Sequence, residues 1–192
     1  MATDIALFPL GTVLFPGGLL PLRIFESRYV DMVGRCMRQN ETFGVVLIHS
    51  GSETRSAVRT PDVGTSARIV DFQTLDDGLL GLLCRGESRF RIQQRSQQSD
   101  GLNCAAVDWV PEPASVALQA RYRPLAKVLR QALSQLANLG QYLQPDYEDA
   151  NWVSYRVAEL LPLPVASQQR LLEMQDPHER LALLAPLINP DP

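Results

Sequence analysis

The sequence predicts an α+β protein: a β-rich unit with one early helix, followed by a unit built from helices. Three observations lead there. Up to residue 110, apolar residues fall in short runs separated by glycine, proline and Asp-Gly turns. Beyond Pro111 and Pro113 the apolar spacing changes to threes and fours. The two patterns follow one another and do not alternate, which argues against βαβ units. The expected domains are 1–110, β-rich, and 111–192, α-helical.

The β unit is organised around residues 8–26. Pro9, Pro16 and Pro21 exclude a helix there, because each removes a backbone donor and fixes φ. The stretch is too apolar for a solvated loop, so an extended path with sharp turns is expected. Residues 5–8 and 19–25 read as strands, and Pro21 assigns the second to an edge or a bulge. Ser27 is placed to cap a helix running to about Gln39, with Tyr29, Val33, Cys36 and Met37 on one face. Residues 44–48 form a continuous apolar run of strand length, buried on both sides.

Residues 50–62 are polar without apolar period and read as a mobile loop. Gly64 restarts the order, with a strand through Ala67, Ile69 and Phe72. Asp77-Gly78 between apolar runs signals a hairpin, and 79–84 is the return strand. Gly86 reads as another turn, followed by Phe90 and Ile92 alternating with Arg89 and Arg91. Residues 96–101 turn the chain again before a last strand over 104–110.

In the helical unit, Leu118, Tyr122, Leu125, Leu129, Ala132, Leu136 and Leu139 make one stripe. Pro124 predicts either a kink or a fresh helix start, and Gly140 a stop. A further helix starts near Asp149 or Asn151 and ends at Leu161-Pro162. Ser167 is placed to cap a short helix through Met174. Asp176-Pro177-His178-Glu179 combines a capping acid, proline in the first turn and glutamate just beyond. Leu181, Leu184 and Leu187 or Ile188 supply the buried face of that last helix.

Composition excludes several classes. No segment approaches the roughly 18 apolar residues that cross a bilayer. Asp4 and the early prolines argue against a signal peptide. Net charge is −3, and neither half is basic, so bulk electrostatics favours no nucleic acid. Three cysteines, Cys36, Cys84 and Cys104, fit reduced core thiols and a cytoplasmic location.

Catalytic chemistry finds little footing. His49 and His178 are far apart in sequence, and there is no Cys-x-x-Cys, so no metal site is expected. Lys127 is the only lysine, and no phosphate-binding Gly-rich loop surrounds it. It lies off the apolar stripe of its helix, which leaves no Ser-Lys pair. Turn chemistry explains Asp76-Asp77, and a helix start explains Glu148-Asp149. No catalytic residue, metal or cofactor is expected.

One polar constellation remains. Arg85, Glu87, Arg89, Arg91 and Arg95 occupy odd positions, with Arg89 and Arg91 the continuous part. Such a face is ordinarily solvated, with arginine stems on their neighbours. Its functional reading is contact with an anion or nucleic acid. Arg23, Glu26 and Arg28 read as an ion pair tying strand to helix.

The opening run carries a family resemblance. Leu7-Phe8-Pro9-Leu10, Val13-Leu14-Phe15-Pro16-Gly17 and Pro21-Leu22-Arg23-Ile24-Phe25-Glu26, followed by Arg28-Tyr29, resemble the start of the Lon protease N-terminal domain. That module also occurs in cereblon. The likeness continues through Phe43-Gly44-Val45-Val46, Gly64-Thr65 with Ala67, Asp77-Gly78, Gly86 with Arg89-Phe90, residues 168–173 and Arg180-Leu181, spanning roughly 5–189. It implies a PUA-like β-barrel or sheet followed by a helical subdomain. In Lon protease the domain precedes an ATPase and a Ser-Lys peptidase, neither of which has a counterpart in these residues.

The resemblance therefore implies a stand-alone, non-enzymatic module that binds unfolded or degron-bearing polypeptides, or another protein. Binding is expected through apolar residues near the Pro/Gly turns, Phe15, Leu19 and Leu20, or in a cleft between the two units. Phe15 also reads as core. The alternative is RNA binding through a PUA-like barrel, using Arg89 and Arg91. An unrecognised hydrolase would need a cleft with convergent polar groups.

Overall fold

The computed structural model describes residues 3–48, 60–112, 115–135 and 140–188. The chain divides into two compact units, Met1–Pro111 and Glu112–Pro192. The fold is mixed α+β, as the sequence predicts.

The first unit contains strands β1 (Thr3–Leu10) and β2 (Leu19–Ile24), helix α1 (Ser27–Gln39), and strands β3 (Phe43–Leu47), β4 (Val63–Thr74), β5 (Leu80–Gln97) and β6 (Asn103–Trp109). They form one sheet in the order β2-β5-β4-β3-β1-β6, with an additional β5–β6 pairing. β1 runs parallel to β3, and the other pairings are antiparallel. The long β5 makes the additional pairing possible. Residues 80–85 pair with β2 and residues 90–97 with β6. β2 lies at the edge, where Pro21 can lack a donor at little cost.

Alternation along β1 builds two cores. Ala6 and Phe8 enter a cluster with Ile24, Tyr29, Phe43 and Val45, while Ile5 and Leu7 enter another with Val46, Phe90 and Val107. This explains why β1 and β3 are apolar at consecutive positions: both faces are covered. Phe43 and Phe90 are fully buried, and each contributes about 1.5–3 kcal/mol by its removal from water.

Three local expectations change. Gly86 is no turn but an interior residue of an unbroken β5. Its N–H donates to Gly18 O at 2.9 Å, and its carbonyl accepts from Gly17 N at 2.8 Å. A Cβ on Gly86 would meet Phe15 O at 2.3 Å, so glycine lets the Pro/Gly loop lie directly on β5. The buried face of α1 is Tyr29, Met32, Val33 and Cys36, while Met37 is exposed. Position 37 falls one residue, about 100°, past the stripe. Glu26, not Ser27, holds the N-cap position of α1, and no side chain caps it. The expected hairpin is present: Gly78 has φ +81°, and Leu75 N–H donates to Leu79 O at 2.8 Å.

The second unit contains α2 (Arg123–Ser134), α3 (Ala150–Leu160), α4 (Val165–Glu173) and α5 (Pro177–Ile188). Pro124 lies in the first turn of α2, after a single 3-10 turn at Ala120–Tyr122, so the fresh-start reading is the one realised. Leu118, Tyr122, Leu125 and Leu129 are buried as the stripe requires; Leu136 and Leu139 lie outside the described residues. The Asp149 carboxylate caps α3 by accepting from Asn151 and Trp152 N–H. α4 begins at Val165 with Pro164 at its N-cap, so Ser167 lies inside the first turn and does not cap it. Asp176 accepts from His178 N–H at 2.7 Å at the head of α5. α3 is buried almost all round and is the centre of this unit.

Candidate functional site

The five residues expected to bind a partner do not form one surface. Phe15 is 0 % exposed and offers nothing to a partner. Leu19 and Leu20 are half-buried, and Leu20 packs on the core cluster of β1 and α1. Arg89 is buried, whereas Arg91 is exposed. A period of two assigns the side of a strand but not whether that side is covered, so the shared face did not become a shared surface. Arg95 is held by Asp62 at 2.9 Å and by Thr60. Glu87 is taken by Arg68. Arg28 pairs with Glu26 at 2.7 Å, while Arg23 pairs with Asp77 of the hairpin. His49 and most of the expected loop at 50–62 lie outside the described residues. Lys127 is exposed.

Grooves of the β-rich unit are lined by other residues, one of them beside β2 past Leu22 and Phe25. A groove of about 240 Å³ runs between the end of α1 and the outer half of β4, walled by Met37, Asn40, Glu41, Ile69, Val70 and Phe72. Phe72 is 58 % exposed and Met37 42 %, so two large apolar side chains border it in water. Sequence supplies a local reason for each. Met37 follows the last buried turn of α1, and Phe72 stands in the polar run Asp71-Phe72-Gln73-Thr74. An isolated aromatic in a polar strand was the readable signal for this site.

Arg68 holds the two walls together. Its Nε donates to Glu87 Oε1 at 2.5 Å and its NH2 to Oε2 at 3.2 Å. Its NH1 donates to Asn40 O at 3.0 Å and to Asn40 Oδ1 at 2.8 Å. Asn40 reaches that position because it ends α1 in the left-handed region, φ 54°, a conformation that asparagine tolerates. Hydrogen bonding to Glu87 raises the Arg68 pKa, so its charge is fixed and already used.

Past Cys36, Asn40, Glu41 and Arg68 the groove opens into a cleft of about 550 Å³, also lined by Asp4, Arg35, Cys104 and Trp109. The cleft has two thiols but no activated one. Burial raises the pKa of Cys36 and of Cys104, and in each the nearby Arg35 only partly offsets it. A thiol nucleophile requires the opposite shift. Among the described residues, no group of three or more His, Cys, Asp or Glu could hold a metal ion.

Burial pushes the Cys84 thiol up to about 12 from an ordinary 9.0. A thiol kept neutral in the folded state stabilises fully below the unfolded value and loses that contribution as pH rises toward the folded one. Urea midpoints are therefore expected to hold steady to pH 9 and to fall between 9 and 12, with Cys84→Ala flattening the decline. Three units correspond to about 4 kcal/mol. An unchanged alkaline slope in the variant would assign the loss to other groups.

The family model described as the ATP-dependent protease La (LON) substrate-binding domain matches residues 4–190. A Lon protease 2 of Myxococcus xanthus is 26 % identical over 185 residues, covering 93 % of this chain and 22 % of the relative. Protein cereblon of Danio rerio is 34 % identical over 107 residues, covering 52 % of this chain and 23 % of the relative. The chain thus spans about a fifth of the length of these relatives. The crystal structure of a Lon N-terminal domain protein from Xanthomonas campestris superposes with a TM-score of 0.79 at 38 % identity, covering 95 % of this chain and 97 % of that one. The N-terminal domain of a Mycobacterium avium complex Lon protease shares the fold, with a TM-score of 0.64 at 18 % identity.

Proposed function

This chain belongs to the ATP-dependent protease La (LON) substrate-binding domain family, and from that premise we propose that it is a non-catalytic module that binds polypeptide segments lacking stable structure. The observation that carries this reading is the extent of the match, residues 4–190, to a substrate-binding domain. The groove bordered by Met37 and Phe72 supports it. An exposed aromatic beside a flexible thioether suits loosely specific capture of apolar side chains.

RNA binding draws less support. Of the two arginines that suggested it, Arg89 is buried and only Arg91 is exposed, while Arg95 farther along the same strand is engaged by Asp62. Among the described residues no helix is long and apolar enough to cross a membrane. Cytoplasmic function is proposed on the free thiols, which suit a reducing compartment.

The test is titration of labelled, reduced and carboxymethylated α-lactalbumin with this protein, followed by fluorescence anisotropy. Saturable micromolar binding is expected without ATP, with none for native α-lactalbumin. Tighter, salt-sensitive binding to a single-stranded RNA homopolymer, with no response to α-lactalbumin, would replace this reading by the RNA-binding one.

A further inference from the structure

We propose that the basic face of α2 docks an acidic, extended polypeptide segment along Arg123, Lys127 and Arg130. The proposal rests on the polypeptide-binding reading above and adds a second surface to it, one that selects by charge.

The sequence concentrates one sign of charge here. Residues 113–145 contain Arg121, Arg123, Lys127 and Arg130, four of the 18 basic residues, and none of the 21 acidic ones. Positions 123, 127 and 130 share one side of the helix and span about 10 Å along it. All three are exposed. Tyr122, Leu125 and Leu129 are buried on another side, so the helix is anchored and this face is left to solvent.

These charges are unmatched. Among the described residues, no ion pair includes Arg121, Arg123, Lys127 or Arg130. The first turn of α2 has no acid, and Arg121 and Arg123 stand at the helix end whose dipole disfavours cations. Local structure gains nothing from that placement. The outer cations lie on aromatic rings, Arg121 4.7 Å from the Tyr122 centroid and Arg130 4.4 Å from that of Tyr147. Stacking uses the flat face of a guanidinium and leaves its N–H edge to a carboxylate. Acids close to those rings have other partners. Asp146 accepts from Glu148 and Asp149 N–H, Asp176 accepts from His178 N–H, and Glu159 of α3 pairs with Arg156. Glu148 and Glu179 are exposed next to Tyr147 and His178, so the middle pair, Arg123 and Lys127, carries the test.

An extended chain sets alternate side chains about 7 Å apart on one side, so two or three carboxylates match the stripe. A polynucleotide is charged at every residue, and past the stripe it meets a chain of net charge −3. A lipid surface takes up an amphipathic helix by its apolar side, which α2 already buries within its own unit.

The experiment uses a labelled nine-residue peptide alternating glutamate with threonine, and the same peptide with glutamine for glutamate. The glutamate peptide is expected to bind the wild-type protein at about 20 mM salt and to weaken markedly at about 200 mM, while the glutamine peptide does not bind. Arg123→Glu with Lys127→Glu should weaken binding about tenfold or more with unchanged circular dichroism, since glutamate suits a first helical turn. Arg38→Glu with Arg170→Glu changes net charge equally on exposed residues of α1 and α4 and should have little effect. If the α2 variant fails to fold, the glutamine peptide on the wild-type protein decides.

Equal weakening by both pairs of substitutions overturns the proposal, as does equal binding of the glutamine peptide. Tighter binding of a single-stranded RNA homopolymer, lost on reversal at 123 and 127, assigns the face to nucleic acid and overturns it too. Failure of the glutamate peptide to bind while carboxymethylated α-lactalbumin still does removes the stripe and leaves the polypeptide-binding module standing. If neither binds, both readings fall.

Discussion

Gly86→Ala is expected to destabilise the β-rich unit by about 3 kcal/mol, at the upper end of overpacking costs. The position lies mid-strand, and its φ is not in the left-handed region, so the cost is steric. The new methyl would stand 2.3 Å from Phe15 O, 3.1 Å from Phe15 C and 3.1 Å from Leu14 Cγ. Two of those atoms are backbone and have no rotamer by which to escape. Moving them breaks the paired bonds from Gly17 N to Gly86 O and from Gly86 N to Gly18 O, and lifts the fully buried Phe15. Gly11→Ala is the control. Nothing lies within 4 Å of that Cβ, so a change near zero is expected, or a small gain from a less flexible unfolded chain. Urea denaturation of the two variants gives the comparison. Similar midpoints for both would mean that the Pro/Gly loop is not seated on β5.

Arg180→Ala is expected to cost about 4 kcal/mol, a large part of an ordinary domain's stability. Arg180 is 0 % exposed and ties α5 to α3 and to the end of α4. Its Nε donates to Ser154 Oγ at 3.0 Å, its NH1 to Met174 O at 2.7 Å and its NH2 to Asn151 Oδ1 at 2.9 Å. The guanidinium also lies 4.1 Å from the Tyr155 ring centroid. Alanine would leave two buried acceptors, Ser154 Oγ and Asn151 Oδ1, and the part-buried Met174 O without this donor, at about 1–3 kcal/mol for each buried one where no water replaces it. Arg180→Lys should recover only part of the loss, because an ammonium cannot reproduce the planar fork that reaches three acceptors at once. Loss of helical ellipticity at lower temperature in both variants is the readout. A shift of only a degree or two for alanine would show that water readily takes the arginine's place.

These two sites differ in how far sequence alone could describe them. Gly86 was visible as a break in an apolar run and read as a turn. Its actual partner, Phe15, is distant in the chain, and nothing local announces a backbone laid across a strand. Arg180 was visible as the residue before Leu181 in a recognisable helix start. Its burial was not, because a charge on a short helix ordinarily faces water. Phe15 had both a core reading and a binding reading, and only its burial separates them. The groove was the least legible feature. Phe72 and Met37 were each in view, one as a strand residue and one as part of a buried face. They border the same groove because β4 continues past the start of β3, a consequence of strand register.

The sequence by itself determined the α+β class, the hairpin at Asp77-Gly78 and the helix starts at Asp149 and Asp176-Pro177. Each of these depends on neighbours a few residues away, where φ preferences and capping bonds act directly. It also determined family membership, since the motif glycines, prolines and aromatics survive as a linear pattern. The tertiary structure alone decided the strand order, the three neighbours of β5, the burial of Phe15, Arg89 and Arg180, and how far β4 runs past its pairing with β3. Exposure is set by what other segments cover, and those segments lie tens of residues distant in the chain. Residue type and period therefore fix which way a side chain points, but not whether anything is waiting there.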